Sequence, residues 1–360
     1  PVAAKLDQQG DRETFLKNLR KLGELGLMAI NVKEQYGGSE AGVIAFSLAV
    51  TEIGKACAST GVTMSVNNMV CEVIQAIGTE EQKKAYIPKI ASGEYYAGGF
   101  GLTETMAGSD PSGMKTTAVL DGDSWVLNGS KIFITSAEYA GVFVVWAVTD
   151  PKAPKGKGIS TFLIENGTKG FTIGRAEHKM GQHASATNEL LFEDCRVPKT
   201  ALMGKVNDGF RTAVGELAGG RIGIGSLGLG IGQAAIEYAT KYAMNRFQFD
   251  QPITNFQAIQ WMIAEGYTEL EAARLLLMNA AFKKENGKFF AREASMAKYY
   301  ATEAAERACH KAIQMLGGYG YTNEFPVERY ARDVRITSIY EGTNQIQRLI
   351  IARDILSSLK

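Results

Sequence analysis

Val142-Phe-Val-Val-Trp-Ala-Val148 is a short, wholly apolar run built from β-branched and aromatic residues, which reads as a strand. Runs of the same kind surround it: Thr116-Thr-Ala-Val-Leu120, Ser124-Trp-Val-Leu-Asn-Gly129, Lys131-Ile-Phe-Ile-Thr135 and Ser160-Thr-Phe-Leu-Ile-Glu165. Asp-Gly, Asn-Gly and Lys-Gly pairs punctuate them as turns. The pattern predicts an antiparallel sheet from about residue 97 to Arg196-Val197-Pro198.

On both sides the period changes to that of a helix. Residues 11–96 read as mostly helical: Phe15, Leu16, Leu19, Leu22, Leu25 and Leu27 recur at helical spacing, and Thr79 caps Glu80-Glu81-Gln82-Lys83-Lys84. From about 208 the sequence predicts long amphipathic helices over 208–245, 255–285, 290–317 and 343–358, joined by short connections, hence a bundle. The expected fold is multidomain α+β. It has an N-terminal helical domain (1–98), a middle antiparallel β-domain (99–205) and a C-terminal four-helix bundle (206–360), with no internal repeat.

Composition removes several classes. A net charge of +1 gives no basic surface for nucleic acid or anionic membrane. No run of about 18 apolar residues predicts a membrane-spanning helix. The four cysteines (Cys57, Cys71, Cys195, Cys309) contain no CxxC and read as reduced thiols of an intracellular protein. No His, Cys or Asp spacing resembles a metal site. Pro1-Val2-Ala3-Ala4 is not a signal peptide, and a segment ahead of it is left open.

Ile339-Tyr-Glu-Gly-Thr-Asn-Gln-Ile-Gln-Arg348 is the chemically suggestive stretch. Glu341 stands on a short turn, Gly342 permits tight backbone, and Thr343 is a good helix N-cap. Ile346, Leu349, Ile350, Ala352, Ile355 and Leu356 give the following helix an apolar face. A carboxylate just ahead of a helix start is favoured by the macrodipole. It reads as a base aimed into a pocket or as an ordinary loop glutamate. Gly223-Ile-Gly-Ser-Leu-Gly228 matches a dinucleotide fingerprint in letters only. Its flanks are helical, where the fingerprint needs a preceding strand and a later acid. The glycines instead predict close helix packing, and a nicotinamide dehydrogenase rests on nothing else.

Gly101-Leu-Thr-Glu-Thr-Met-Ala-Gly-Ser-Asp110 and Asn128-Gly-Ser-Lys-Ile-Phe-Ile-Thr135 are two further motif-like segments. Later come Arg246-Phe-Gln-Phe249 with Phe256-Gln-Ala-Ile-Gln260, then Gln314-Met-Leu-Gly-Gly-Tyr-Gly320 with Tyr340-Glu-Gly-Thr343. Together, in this order and across essentially the whole chain, they resemble the acyl-CoA dehydrogenase family. Its members are FAD-dependent enzymes that oxidise acyl-CoA to 2-enoyl-CoA. The chemistry needs a base for the Cα proton and an acceptor for the Cβ hydride, and a flavin does the second because no side chain can.

The resemblance implies roles residue by residue. Glu341 is the base. The thioester carbonyl takes hydrogen bonds from the flavin and from the base's own N–H, an arrangement worth on the order of 3 kcal/mol per donor. Leu102 and Thr103 lie along the isoalloxazine, Ser109 reaches the pyrophosphate and the substrate side, Phe133 packs on the ring and Thr135 bonds near N5. Arg246, Phe249, Gln257, Gln314, Gly317 and Gly318 reach the FAD of a neighbouring subunit. Thr343 and Gln345 hold the flavin beside the base, and Arg221, Tyr340 and Gly342 meet the substrate. Read alone, Thr103 and Ser109 are turn or cap residues, Phe133 is sheet core, Arg246 is a helix-end charge and Gly317-Gly318 is a helix stop.

The chain departs from the family pattern at Thr105, where proline is usual, at Asp250, where glycine is usual, and at His183, where many relatives have arginine. His183 reads either as an altered substrate contact or as a hydrogen-bonded structural histidine. Gly220 replaces the base that some long- and branched-chain relatives carry just before the position of Arg221. Gly61 stands where glutaryl-CoA relatives carry arginine. Met64-Ser-Val-Asn-Asn68 looks like the short-chain, butyryl-type enzymes. These features imply a homotetramer that desaturates a short-chain, straight, branched or cyclic acyl-CoA and passes electrons to electron-transfer flavoprotein. Such a protein belongs in bacterial cytoplasm or the mitochondrial matrix. The alternatives are an enoyl-CoA-reducing flavoenzyme of the same family, a glutaryl-CoA-type dehydrogenase, and a flavin-free helical interaction protein.

Overall fold

The computed structural model describes residues 2–359; Pro1, the first residue of the expected N-terminal domain, and Lys360 lie outside them. The N-terminal part holds α1 (Val2–Gln9), α2 (Arg12–Glu24), α3 (Gly42–Ala56), α4 (Ala58–Ile77) and α5 (Glu80–Ala91). Asp11 caps α2 by accepting from the Thr14 N–H, and Thr79 with Gln82 closes a full capping box on α5. Phe15, Leu19 and Leu22 form the buried stripe of α2, while Leu25, just past its end, is exposed.

The middle part is one sheet of β1 (Ala97–Gly101), β2 (Thr117–Asp121), β3 (Ser124–Thr135), β4 (Ala140–Val148), β5 (Ile159–Glu165), β6 (Phe171–Ala176), β7 (Thr187–Pro198) and β8 (Leu202–Met203). Its order is β6-β7-β3-β2-β4-β5-β8, with β1 paired to β4. The sheet is mixed rather than purely antiparallel. β1 runs parallel to β4, and β2 meets β4 in a parallel bridge. Asn128-Gly129 is not a turn. It lies inside β3, which is one bent strand whose register slips at Leu127/Gly129 and again at Lys131/Ile134. Gly129 takes φ +139, and a Cβ there would lie 2.7 Å from the Thr116 Cα.

β4 explains why its sequence has no polar side. Val142, Val144 and Trp146 pack into the core shared with the helices, and Phe143, Val145 and Ala147 into a second core inside the sheet domain. Val142, Val144 and Trp146 thus hold the sheet on the helices, at about 25 cal/mol per Å² of apolar surface removed from water, while the other three hold the sheet domain together.

The C-terminal part is α6 (Gly209–Asn245), a hairpin of β9 (Phe247–Gln248) and β10 (Gln251–Pro252), α7 (Gln257–Glu285), α8 (Ala291–Leu316), α9 (Val327–Arg335) and α10 (Asn344–Ser358). The four long helices fall where the periodicity predicts them; α9, the β9–β10 hairpin and the strands β1, β6, β7 and β8 are additions. α6 is the spine, packed by α7 and α8 on one side and by α3 and α4 on the other. Its glycines make this possible: a Cβ on Gly225 would lie 2.7 Å from Leu277 Cδ2, and one on Gly223 would collide with Ser65 and Phe46. The letters that mimic a nucleotide fingerprint are packing glycines.

α10 lies along α8. Its apolar residues Leu349, Ile355 and Leu356 are exposed, and its buried residues are Asn344 and Gln347. The apolar stripe read from the sequence therefore faces outward in the single chain. Two polar side chains turn inward because they hold the turn that precedes the helix.

Candidate active site

Glu341 sits in a left-handed backbone conformation, φ +54, followed by Gly342 at φ +87. A non-glycine residue in that region stores about 1–3 kcal/mol of strain, and it persists only where neighbours over-determine it. Gln347 Nε2 donates to the Gly342 carbonyl at 2.8 Å and to the Glu341 carbonyl at 3.3 Å. Lys298 Nζ, on α8, donates to the Gly342 carbonyl at 3.0 Å and to Asn344 Oδ1 at 2.9 Å. Thr343 closes the arrangement by accepting from the Ile346 N–H, the N-cap expected of it.

The pinned turn drives the Glu341 side chain against α6 and α4. A Cβ built on Gly220 would lie 2.9 Å from Glu341 Oε2 and 2.9 Å from Met69 Sδ. Gly220, the absent second base of the sequence comparison, thus touches the carboxyl of Glu341 itself. Oε2 is buried and has no hydrogen-bond partner among the described residues, and the same holds for Nε of Arg221, one residue further along α6. Arg221 donates through Nη1 to Ser295 Oγ at 3.4 Å. Burial pushes the Glu341 carboxyl up to about 7 against the opposing charges of Arg221 and Lys298. Burial likewise brings the Lys298 ammonium down to about 7, with Glu341 working the other way. The Glu341 N–H has no partner among the described residues.

Tyr340 is held from the sheet domain. Gln182 donates from its backbone N–H to Asp333 Oδ1 at 2.5 Å and from Nε2 to the Tyr340 hydroxyl at 3.4 Å. His183 next to it is a surface clasp: Nδ1 lies 2.9 Å from Asp7 Oδ1, and Nε2 lies 2.8 Å from the Lys179 carbonyl.

The loop after β1 carries Leu102, buried, Thr103, half-buried, and Ser109, exposed. The Ile132 N–H of β3 donates to the Thr103 carbonyl at 2.9 Å, so this loop and β3 are joined. Phe133 is not sheet core. It is 62% exposed, at φ +59, thrown out of the strand by the bulge between Lys131 and Ile134. Thr135 ends the strand half-buried, and the next residue, Ser136, shares a 3.0 Å hydroxyl–hydroxyl bond with Thr63 of α4. An exposed aromatic face beside free backbone and hydroxyl groups suits a planar ring system with polar edges. The residues fit a flavin there.

Thr343 and Gln345 line a cavity of about 360 Å³ together with Glu303, Glu306, Arg335 and Ser338. Arg246, Phe249, Gln257, Gln314, Gly317 and Gly318 lie elsewhere. Arg246 ends α6, 26 residues after Gly220, about 39 Å away at 1.5 Å per residue. Phe249 and Asp250 both have positive φ and make the hairpin turn, so the aspartate keeps the conformation glycine would take. Arg246 stacks over Tyr319 at 5.7 Å, and Phe249, Gln257, Gln314, Gly317 and Gly318 are exposed. This group cannot reach Glu341 of its own chain. The lone lysine at 298 amid Ala294, Ala297 and Ala301 is the sequence signal that pointed to the site and went unread, as did Gln347.

Family models match most of the chain in three pieces: acyl-CoA dehydrogenase N-terminal domain over residues 1–94, middle domain over 99–195 and C-terminal domain over 207–356. The short-chain specific acyl-CoA dehydrogenase of Bos taurus mitochondria is 48% identical, over 100% of this chain and 87% of its own length. Acryloyl-CoA reductase (NADH) of Anaerotignum propionicum is 44% identical over 99% and 90%. Butyryl-CoA dehydrogenase of Megasphaera elsdenii superposes with a TM-score of 0.95 at 40% identity, covering 99% of this chain and 93% of that one. A chain from a structure of the electron transferring flavoprotein of Acidaminococcus fermentans gives 0.95 at 46% identity, with 99% and 93% covered.

Proposed function

The chain belongs to the acyl-CoA dehydrogenase family, and on that premise we propose that it desaturates a short-chain acyl-CoA between Cα and Cβ, with Glu341 as the base. Its cofactor is FAD, as throughout the family, and its reaction class is oxidation of a CH–CH group in fatty acid metabolism. The observation that carries the reading is the carboxylate of Glu341: strained into place, buried, and without a partner for Oε2.

The residues account for the chemistry as follows. A carboxylate at its ordinary pKa is too weak for an α-proton; desolvation raises Glu341 toward neutrality and makes it a stronger base. Arg221 and Lys298 supply positive charge around the site without quenching Oε2 in an ion pair. The free Glu341 N–H can hold the thioester carbonyl, which acidifies the α-proton. Bound FAD supplies the acceptor for the β-hydride. Leu102, Thr103, Phe133 and Thr135 would hold its ring, and Ser109, Thr343 and Gln345 its chain.

The names of the relatives and the form of Gly61 support the short-chain assignment. A Cβ at Gly61 would lie 2.7 Å from Leu227 Cδ1 and 3.4 Å from the Gly54 backbone, where α3, α4 and α6 meet, so an arginine for a distal carboxylate would have to displace Leu227 and crowd α3. The separation of the Arg246–Gly318 group from Glu341 and the outward apolar face of α10 support a homotetramer in which each FAD is shared. Electron-transfer flavoprotein is the proposed electron acceptor. Among the described residues no helix is long and apolar enough to cross a membrane. The mitochondrial matrix or bacterial cytoplasm is the proposed compartment.

Anaerobic bleaching of the flavin by butyryl-, isobutyryl-, hexanoyl-, octanoyl-, cyclohexanecarbonyl- and glutaryl-CoA tests the reading. Fast bleaching by the C4–C6 group is expected. No bleaching by any, with crotonyl-CoA reoxidising the reduced flavin, would replace it with the reductive direction that the name of the Anaerotignum relative carries.

A further inference from the structure

The two segments placed along the flavin ring are joined beneath it by a buried ion pair. Lys131 of β3 is 0% exposed. Its Nζ donates to Glu104 Oε1 at 2.8 Å and to the Leu102 carbonyl at 3.2 Å. Glu104 in turn accepts from the Thr116 N–H at 3.0 Å on Oε1 and from the Lys115 N–H at 2.5 Å on Oε2. Its two oxygens are thus held by three donors, and the carboxyl belongs to a closed network.

The consequence falls on the loop surface. The carbonyl of Leu102 is drawn inward by Lys131, and that of Thr103 by the Ile132 N–H. In a trans peptide the N–H points opposite to the C=O, so the Thr103 N–H is turned outward. It has no partner among the described residues. Two residues beyond Lys131 the same strand throws out Phe133. Lys131, together with the Ile132–Thr103 backbone bond, therefore ties the loop of Leu102–Thr103 to the strand that carries the Phe133 bulge, and the two are walls of the proposed ring site.

We propose that Lys131 and Glu104 are positioning residues for FAD: their buried pair orients the Thr103 N–H and the Phe133 bulge into a preformed flavin cradle. The inference rests on the flavin placement proposed above. Breaking a buried pair leaves an uncompensated charge that forces rearrangement around it. The rearrangement here runs directly into the cradle.

The test is the dissociation constant of FAD for the apo-chain, by recovery of flavin absorbance and fluorescence, with apo-chain Tm and acyl-CoA KM at saturating FAD measured beside it. Lys131→Met is expected to weaken FAD by roughly 10–100-fold, the scale on which supporting partners act at metal sites, with KM for acyl-CoA nearly unchanged. An FAD affinity within about twofold of the parent, whatever the Tm does, would overturn the inference and leave the pair a core element only. Should Lys131→Met not fold, Glu104→Gln keeps the volume and an acceptor oxygen; a weaker but clear loss of FAD affinity is expected, and none would overturn the proposal equally. Phe133→Ala, which removes the exposed aromatic wall, separates the two readings. Loss in both variants supports both, unchanged affinity in Phe133→Ala alone overturns the flavin placement, and unchanged affinity in Lys131→Met alone overturns the inference.

Discussion

The carboxyls of Glu104 and Glu341 are both shielded from water near a lysine, and they end in opposite states. Glu104 has two N–H donors and the Lys131 ammonium; burial alone would raise its carboxyl, but Lys131 and those donors more than reverse this and hold it below the ordinary value. Glu341 has Arg221 and Lys298 in its surroundings, yet Oε2 bonds to neither; Lys298 turns two of its donors to the Gly342 carbonyl and Asn344. Burial then dominates, and Glu341 rises to about 7. The same residue types give a structural clamp where both oxygens are met and a base where one is left unmet.

The largest way to break this contrast is Glu341→Gln. Turnover should fall by ~10²–10⁴-fold or more while FAD stays bound, read by flavin reduction against flavin absorbance. Gly220→Ala is next. Its methyl group would press on Oε2 and Met69 Sδ at 2.9 Å, and a displaced base should cost roughly 10-fold or more in the flavin reduction rate. Stability should separate the two glutamates with opposite signs. Glu104→Gln is expected to lower stability at pH 7 by on the order of 1–3 kcal/mol, a difference that narrows as pH falls through the depressed pKa of Glu104, where the native carboxyl is protonated too. Glu341 binds its proton more tightly folded than unfolded, so its carboxylate costs stability as pH rises from the usual carboxylate range to about 7. Glu341→Gln should then leave the Tm at pH 8 unchanged or higher. The smallest change is Thr105→Pro. Thr105 follows Glu104 in the turn closed by the Ala107 N–H donating to the Glu104 carbonyl, a position where proline is favoured. A gain of about 0.4–1 kcal/mol by thermal denaturation is expected, with FAD affinity untouched.

The order helices, sheet, helices and the bounds of the long helices were legible because the helical period ran along each long helix and the strands were short β-branched and aromatic runs set between turn residues. Asn128-Gly129 misled because the same letters serve a hairpin turn and a bulge, and only the strand beyond it tells them apart. The α10 stripe misled in another way: periodicity reports an apolar face, not which surface will cover it. At the site, Glu341 was legible from its motif, while Lys298, Gln347 and the Glu104–Lys131 pair were not. Each acts through a partner 6 to 44 residues away, as Lys298 does on Gly342 and Gln347 on Glu341, and no local pattern records such a pairing. Asp250 is the converse: it read as a threat to the turn, yet aspartate tolerates the left-handed region and the turn is kept.

The central claim is that Glu341 is an unpaired carboxyl whose proton affinity lies near neutrality. The second-order rate constant for anaerobic flavin reduction by butyryl-CoA, measured from pH 5 to pH 9, reports the base in the free enzyme. The account predicts a rate that rises with pH through a midpoint near 7 and is nearly abolished in Glu341→Gln. A rate flat across that range, or one that survives the glutamine variant, would contradict it.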